Sequence, residues 1–269
     1  MQSGLVLMVG ATGGVGQLVT AKLLERNIPV RVLTRNLDKA EQMFAGKAEC
    51  VVGDIRDCNS LVSVIEGVRS IICCAGTTAF PSKRWEFESS LSPWDWLGAI
   101  FDRDRLIEKA KNSPMKADGE GVKNLVAVAP RDLERFVFIS SVGVLRKGEF
   151  PFSILNSFGV LDAKLVGEQA IMNSGLAYTI IRPGRLIDGP FTSYDLNTLL
   201  RATTDGKLGV VVGTGDKLAG DTSRIDLATA CVECLGNERV KNQVFELVNK
   251  GARPANIDWS SLFESIPAQ

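Results

Sequence analysis

The stretch "LVLMVGATGGVGQLVTAKLLERN", residues 5–27, decides the fold. Residues 5–9 form a short apolar run that reads as a buried strand. The run enters a glycine loop at once, and apolar residues then recur at helical spacing through residue 27. Gly10, Gly13 and Gly16 stand three apart between strand and helix. Gly10 permits a tight turn, Gly13 lets backbone amides approach a pyrophosphate, and Gly16 lets the helix pack close to the strand. Thr12, Gly14 and Val15 fill the same loop and share in its phosphate-facing backbone. The unpaired amides and positive end of the following helix suit a negative charge. Strand, glycine turn and helix in this order imply a dinucleotide site.

Outward from that unit the alternation continues. Strands are predicted at 29–34, 48–53, 68–76, 135–140 and 177–184, and helices at 38–46, 59–67, 119–129 and 158–170. The strands are apolar without a period of two, as expected for a parallel sheet covered on both faces. The fold class is therefore α/β, a doubly wound parallel sheet of the Rossmann kind with a small C-terminal substrate region. One domain spans 1–269, with an insertion at 80–117 and substrate-region elements at 185–225 and 250–269. The insertion holds Trp85, Trp94 and Trp96 and an apparent helix over 94–112. It reads as a lid, a partner surface or a flexible insertion, or as an extra helix packed on the core. Late in the chain, 190–224 carries a short helix and the glycine-rich "GVVVGTGDKLAG", read as a hairpin.

Lysine plus arginine equals aspartate plus glutamate, 31 against 31, so no overall field recruits nucleic acid. There is no histidine, which removes the commonest general base and metal ligand. The six cysteines are too irregularly spaced for a disulfide scaffold, and Cys231 and Cys234 lie within a helical pattern that suits burial, not metal. No metal site is expected. No apolar run is long enough for a transmembrane segment.

The tips of the second and third strands bear on the choice of cofactor. An acid after the second strand would pair with the ribose hydroxyls of NAD; this chain has Arg35, in "VLTRN". A guanidinium suits a 2′-phosphate, so NADP is the expected cofactor. Asp54, in "VVGDIRD", is placed either to meet the adenine amino group or to cap the next helix.

"GATGGVG", "LTRN", "GD", "CAG", "ISS", the helix "FGVLDAKLVGEQA" and "IIRPG" together resemble the atypical branch of the short-chain dehydrogenase/reductase superfamily, over nearly the whole chain. The resemblance is to its NmrA-like and isoflavone-reductase-like members, and "CAGTTAFPSKRW" looks like plastid and cyanobacterial ones. It implies cofactor contacts from Ala75 and Gly76 after the fourth strand, from Ser140, and from Pro183 and Gly184 in the "RPG" turn. In catalytic members a Tyr-x-x-x-Lys pair works on the helix at 158–170. Aligned so, Lys164 is the ribose anchor, Ser141 the carbonyl-polarising serine, and the tyrosine position is Val160. Tyr178 and Tyr194 are the sole tyrosines in the chain; Tyr178 reads as core and Tyr194 as packing or a nicotinamide neighbour. Two functions follow: an NADPH-dependent reductase of a small conjugated or aromatic substrate, or a non-catalytic NADP(H)-sensing scaffold whose partner docks on 80–117. The compartment implied is the cytoplasm of a cyanobacterium or the chloroplast stroma of a plant or alga.

Overall fold

Successive residues of the first strand are buried against two different apolar clusters. Val6 and Met8 pack with Val32, Ile72, Val137, Ile181 and Phe245, whereas Leu7 and Val9 pack with Leu33, Ile71, Phe136, Phe138 and Ile180. Two apolar faces are what a parallel sheet sandwiched between helices requires. The computed structural model describes residues 4–82, 85–87, 103–189, 194–201 and 207–267. The chain runs through β1 (Leu5–Val9), α1 (Gly16–Glu25), β2 (Val30–Thr34), α2 (Leu37–Phe44), β3 (Glu49–Val52) and β4 (Val68–Cys73). Then come α3 (Arg103–Lys109), α4 (Gly121–Val128), β5 (Arg135–Ile139), α5 (Phe152–Leu155), α6 (Val160–Met172) and β6 (Tyr178–Pro183). β7 (Arg185–Ile187), α7 (Leu196–Leu200), β8 (Leu208–Gly213), β9 (Asp221–Ser223), α8 (Arg224–Glu233), β10 (Gln243–Ala252) and α9 (Trp259–Glu264) follow.

The main sheet has the order β3-β2-β1-β4-β5-β6-β10-β8. Its strands are parallel except β8, which runs antiparallel to β10 at one edge. This is the doubly wound, Rossmann-like sheet expected from the alternation. Chain order reverses between β1 and β4, so the carboxyl ends of those strands open a crevice.

Two expectations are corrected and one strand is new. The segment 209–220 is not a hairpin: β8 pairs with β10, and β9 pairs with β7 in a separate two-stranded sheet. Residues 59–67 do not form an α-helix but a single 3-10 turn, Cys58–Leu61, capped by Asp57. Val62, Val64 and Ile65 are β-branched, which lowers helix propensity where Leu61 and Val64 must also be buried. β10 was not anticipated, because Glu246 and Asn249 interrupt its apolar pattern; both side chains are buried and hydrogen-bonded. Of the helix expected over 94–112, α3 is the described part, and Trp94 and Trp96 lie outside the described residues.

The helix that carries Lys164 starts at Gly159, whose φ of 74° ends the preceding turn. The Asn156 side-chain oxygen accepts from the amides of Leu161 (2.8 Å) and Asp162 (3.2 Å), satisfying donors that the first helical turn leaves unpaired. Further along α6, Glu168 is fully buried and takes a two-pronged grip from Arg182 of β6, at 2.8 and 2.6 Å. Removing one member of a buried pair strands the other charge, at a cost of about 3–5 kcal/mol. Glu168→Ala is therefore expected to lower unfolding free energy by about that amount in urea titration. A loss below about 1 kcal/mol would show the pair to be dispensable.

Candidate functional site

A cleft of about 610 Å³ lies across the carboxyl ends of β3, β2, β1 and β4. Of the residues read from the sequence, Gly10, Thr12, Gly13, Arg35, Asp54, Ala75 and Gly76 line it. Gly14, Val15, Gly16, Ser140, Ser141, Lys164, Pro183 and Gly184 do not line it.

The glycine turn has the geometry its sequence requires. Gly10 has a φ of 78°, and a Cβ there would stand 2.8 Å from the Ala75 amide nitrogen. A Cβ on Gly16 would stand 2.1 Å from the Gly10 carbonyl oxygen. The turn, the helix and the loop after β4 are thus in contact at distances no other residue tolerates. Helix α1 begins without a side-chain cap and has no acid in its first turn, so neither of these neutralises its positive end. Gln17, fully buried, donates to the carbonyls of Thr12 (3.3 Å) and Gly13 (3.2 Å) and accepts from the Tyr194 amide (3.1 Å). It braces the loop from behind, and its position one residue past the motif was the signal available for it.

The far end of the cleft is cationic. Arg35, Lys39 and Arg56 all line it, with Asp54 and Glu86 between them. Asp54 is held by Arg56, whose Nε donates to both carboxylate oxygens at 2.9 Å and whose Nη2 also contacts it. Burial alone would raise the Asp54 pKa, but the hydrogen bonds and charge of Arg56 bring it below the ordinary value. Asp54 therefore caps no helix; that task falls to Asp57. Lys39, Arg56 and Glu86 were not read as site residues. Arg56 follows Asp54 by two at the same strand tip, which could have signalled it. Glu86 arrives from a distant segment and carried no such sign.

Behind the β4 loop, Lys164 is 7% exposed and its ammonium meets three oxygens: Ile139 O at 2.8 Å, Ala75 O at 3.1 Å and Asp118 Oδ1 at 2.7 Å. Asp118 sits in the single wide turn, Met115–Glu120, that precedes α4, and its Oδ2 accepts from the Thr77 amide at 2.9 Å. The contact of its Oδ1 with Lys164 is an ion pair without hydrogen-bond alignment, so this buried oxygen keeps accepting capacity. Ser140 Oγ is buried and has no partner; Ser141 Oγ donates to Val142 O at 2.9 Å. Asp216 accepts from the amides of Gly143 (2.7 Å) and Leu145 (2.8 Å), and Glu246 accepts from those of Asp216, Lys217 and Leu218. Two buried carboxylates thereby fix the loop that follows the serines.

Val160 is 8% exposed and packs with Val144 and Leu161, joined by Phe152 and Leu155. The Gly184 amide donates to Thr222 Oγ1 at 2.8 Å, and the Pro183 carbonyl accepts from Val142 at 3.0 Å. Tyr178 is half-buried in β6, and Tyr194 is 40% exposed. Burial pushes the Cys73 thiol up to about 11 and raises Cys74 as well, so neither supplies a thiolate at neutral pH. Cys231 and Cys234 are fully buried on α8 and its cap. Among the described residues no cluster of carboxylate, thiol or imidazole groups could hold a metal, and no helix is long and apolar enough to cross a membrane.

A family model described as NAD(P)H-binding matches residues 10–238. The chain belongs to that family. It is similar to a sanguinarine reductase from Eschscholzia californica, 31% identical over 97% of this chain and 95% of the other. It is also similar to the photosystem II assembly factor Ycf39 of Cyanophora paradoxa, 26% identical over 98% of this chain and 69% of that one. Further relatives, from Arabidopsis thaliana, are chloroplastic proteins. Among solved structures, a putative NAD-dependent epimerase/dehydratase from Bacillus halodurans superposes with a TM-score of 0.68, at 19% identity, covering 97% of this chain and 99% of the other. The family is reductase-like and nucleotide-binding, and its members include both an enzyme and assembly factors.

The Asp54–Arg56 pair carries a pH signature. Because the folded Asp54 pKa lies below its unfolded value, its contribution is complete above about pH 4 and is lost as pH falls through the folded value. The stability gap between wild type and Asp54→Asn is expected to close on acidification, read by thermal unfolding. A gap that stays constant down to about pH 2.5 means that the ionised pair does not act.

Proposed function

We propose that this chain is an NADPH-dependent reductase of a small conjugated or aromatic substrate. The observation that supports it most is the pairing of an acid-free helix start at the glycine turn with Arg35, Lys39 and Arg56 at the other end of the same cleft. A pyrophosphate suits the first and a ribose 2′-phosphate the second. The glycine turn, where a Cβ at Gly10 or Gly16 would clash, and the amides at the uncapped start of α1 fit the pyrophosphate of a nicotinamide nucleotide.

In this reading bound NADPH supplies a hydride. Lys164 would hold the nicotinamide ribose, turning to it from the Ala75 and Ile139 carbonyls, while Ala75 and Gly76 would follow the nucleotide backbone. Pro183 and Gly184 border the nicotinamide amide. Ser141 Oγ turns from Val142 O to the substrate and orients its polar atom. Val160 leaves no proton donor at the tyrosine position. Lack of a positioned acid costs about 10²–10⁴ in rate for an ordinary carbonyl. That favours acceptors whose reduced form is stabilised by conjugation and takes its proton from water. Residues 185–225 and 250–269 shape the substrate end. The compartment proposed is the chloroplast stroma, or the cytoplasm if the source is a cyanobacterium.

A second reading, a non-catalytic NADP(H)-sensing scaffold, is favoured by the apolar packing around Val160 and by the assembly-factor relatives. A partner would then dock on the 80–117 region. NADPH oxidation on addition of quinones, flavins or conjugated carbonyls separates the two; binding without turnover supports the scaffold.

Thermal shift tests the pocket under both. Nucleotide at 100 times its dissociation constant is expected to add about 2.7 kcal/mol of stability. A charge-assisted hydrogen bond contributes about 1.5–3 kcal/mol, so Arg35→Ala is expected to weaken NADPH by about tenfold or more and NADH little. Equal weakening of both nucleotides would remove the case for NADP.

A further inference from the structure

The carboxylate of Glu86 lies on the two guanidinium groups to which the extra phosphate of NADP is assigned. Its Oε1 is 2.6 Å from Arg35 Nη1 and its Oε2 is 3.4 Å from Arg56 Nη1. Its backbone is anchored on several sides. The Glu86 amide donates to Asn112 Oδ1 at 2.8 Å, and the Lys111 amide donates to the Glu86 carbonyl at 2.7 Å. Arg56 Nη1 also donates to Lys111 O at 2.9 Å, tying the same strip of chain to the cation. On one side Trp85 is 5% exposed, its indole N–H on Thr78 Oγ1 at 3.1 Å and its ring edge-on to Phe158 at 5.9 Å. On the other, Phe87 bridges to Ala110. The carboxylate is thus presented by an ordered scaffold, although its own side chain is 41% exposed and can swing away.

A phosphate monoester carries a charge of about −1.5 to −2 and three acceptor oxygens. It and the Glu86 carboxylate compete for Arg35, because two anions on one guanidinium repel each other at contact distance. A ribose hydroxyl, being neutral, brings no such conflict.

We propose that Glu86 is a specificity-determining residue of the nucleotide cleft, an internal anion that competes with the ribose phosphate for Arg35 and Arg56. Glu86 then tempers the preference that Arg35 creates, and the cleft discriminates between phosphorylated and unphosphorylated nucleotide less sharply than its cations alone would. This rests on the reading that a phosphate-bearing nucleotide binds at Arg35.

The test is binding of NADPH and NADH to the full chain by isothermal titration, for wild type and Glu86→Gln, alone and in the Arg35→Ala background. Exposed ion pairs are weak, so the expected gain for NADPH with Glu86→Gln is about three- to fivefold, with NADH changed by less than about twofold. The gain is expected to shrink once Arg35 is alanine, because the longer contact with Arg56 then remains; a gain of full size would show that Glu86 does not act through Arg35. An unchanged NADPH affinity, an equal gain for both nucleotides, or a selective loss of NADH overturns the proposal. The last would make Glu86 a partner of the ribose hydroxyls. If wild type binds NADPH and the variant matches it, this inference alone falls. If neither nucleotide binds either protein, the cofactor reading falls and takes the inference with it.

Discussion

Contact between three backbone segments governs this molecule. The turn after β1 presses on the loop after β4, and the first residue of α1 presses on that turn, with clearances that leave no room for a side chain at Gly10 or Gly16. The position of the cleft follows from this contact. It draws the loop after β4 against the helix N-terminus and leaves the strand tips of β2 and β3 as the remaining wall. The Lys164 ammonium, bound to Ala75 O and Ile139 O, ties that loop to the end of β5 from behind. Backbone packing on one side and a buried cation on the other thus hold a single loop in place.

The cation-lined end of the cleft and the region behind the β4 loop are built on different physics. At the cation-lined end, charges are partly exposed and several side chains share them, so the geometry tolerates exchange of one partner for another. Around Lys164 and the serine loop, carboxylates are buried and satisfied mainly by backbone amides. Low exposure makes those contacts strong and their loss costly. Recognition by the first and rigid positioning by the second is a division suited to a protein that must accept a mobile cofactor while keeping one loop fixed.

What could be read from the chain follows the same division. The strand–turn–helix unit was legible because a glycine turn and two periodicities coincide within residues 5–27, and each constrains the others. Val160 and Lys164 were singled out by the resemblance to a Tyr-x-x-x-Lys helix, and both lie on α6. Arg35 was found at its strand tip, yet Glu86 was not, since their meeting depends on how a long connection folds back and no local pattern records that. β10 was missed for a related reason. Glu246 and Asn249 look like surface residues until one sees the amides of the loops at 216–218 and 223 that they satisfy. The false helix at 59–67 shows the reverse error, where spacing was right but β-branched residues and a 3-10 turn prevailed.

The place of β10 in the sheet bears on how the protein is made. It is the strand between β6 and β8, yet it is synthesised after both. Until β10 leaves the ribosome, β6 has one open edge and β8 lacks its neighbour in the sheet. A nascent chain therefore carries unpaired strand borders from the synthesis of β6 until that of β10, the kind of surface on which other chains can add. Closure of the sheet therefore waits on β10, and emergence of the glycine turn alone does not make this protein safe from its neighbours.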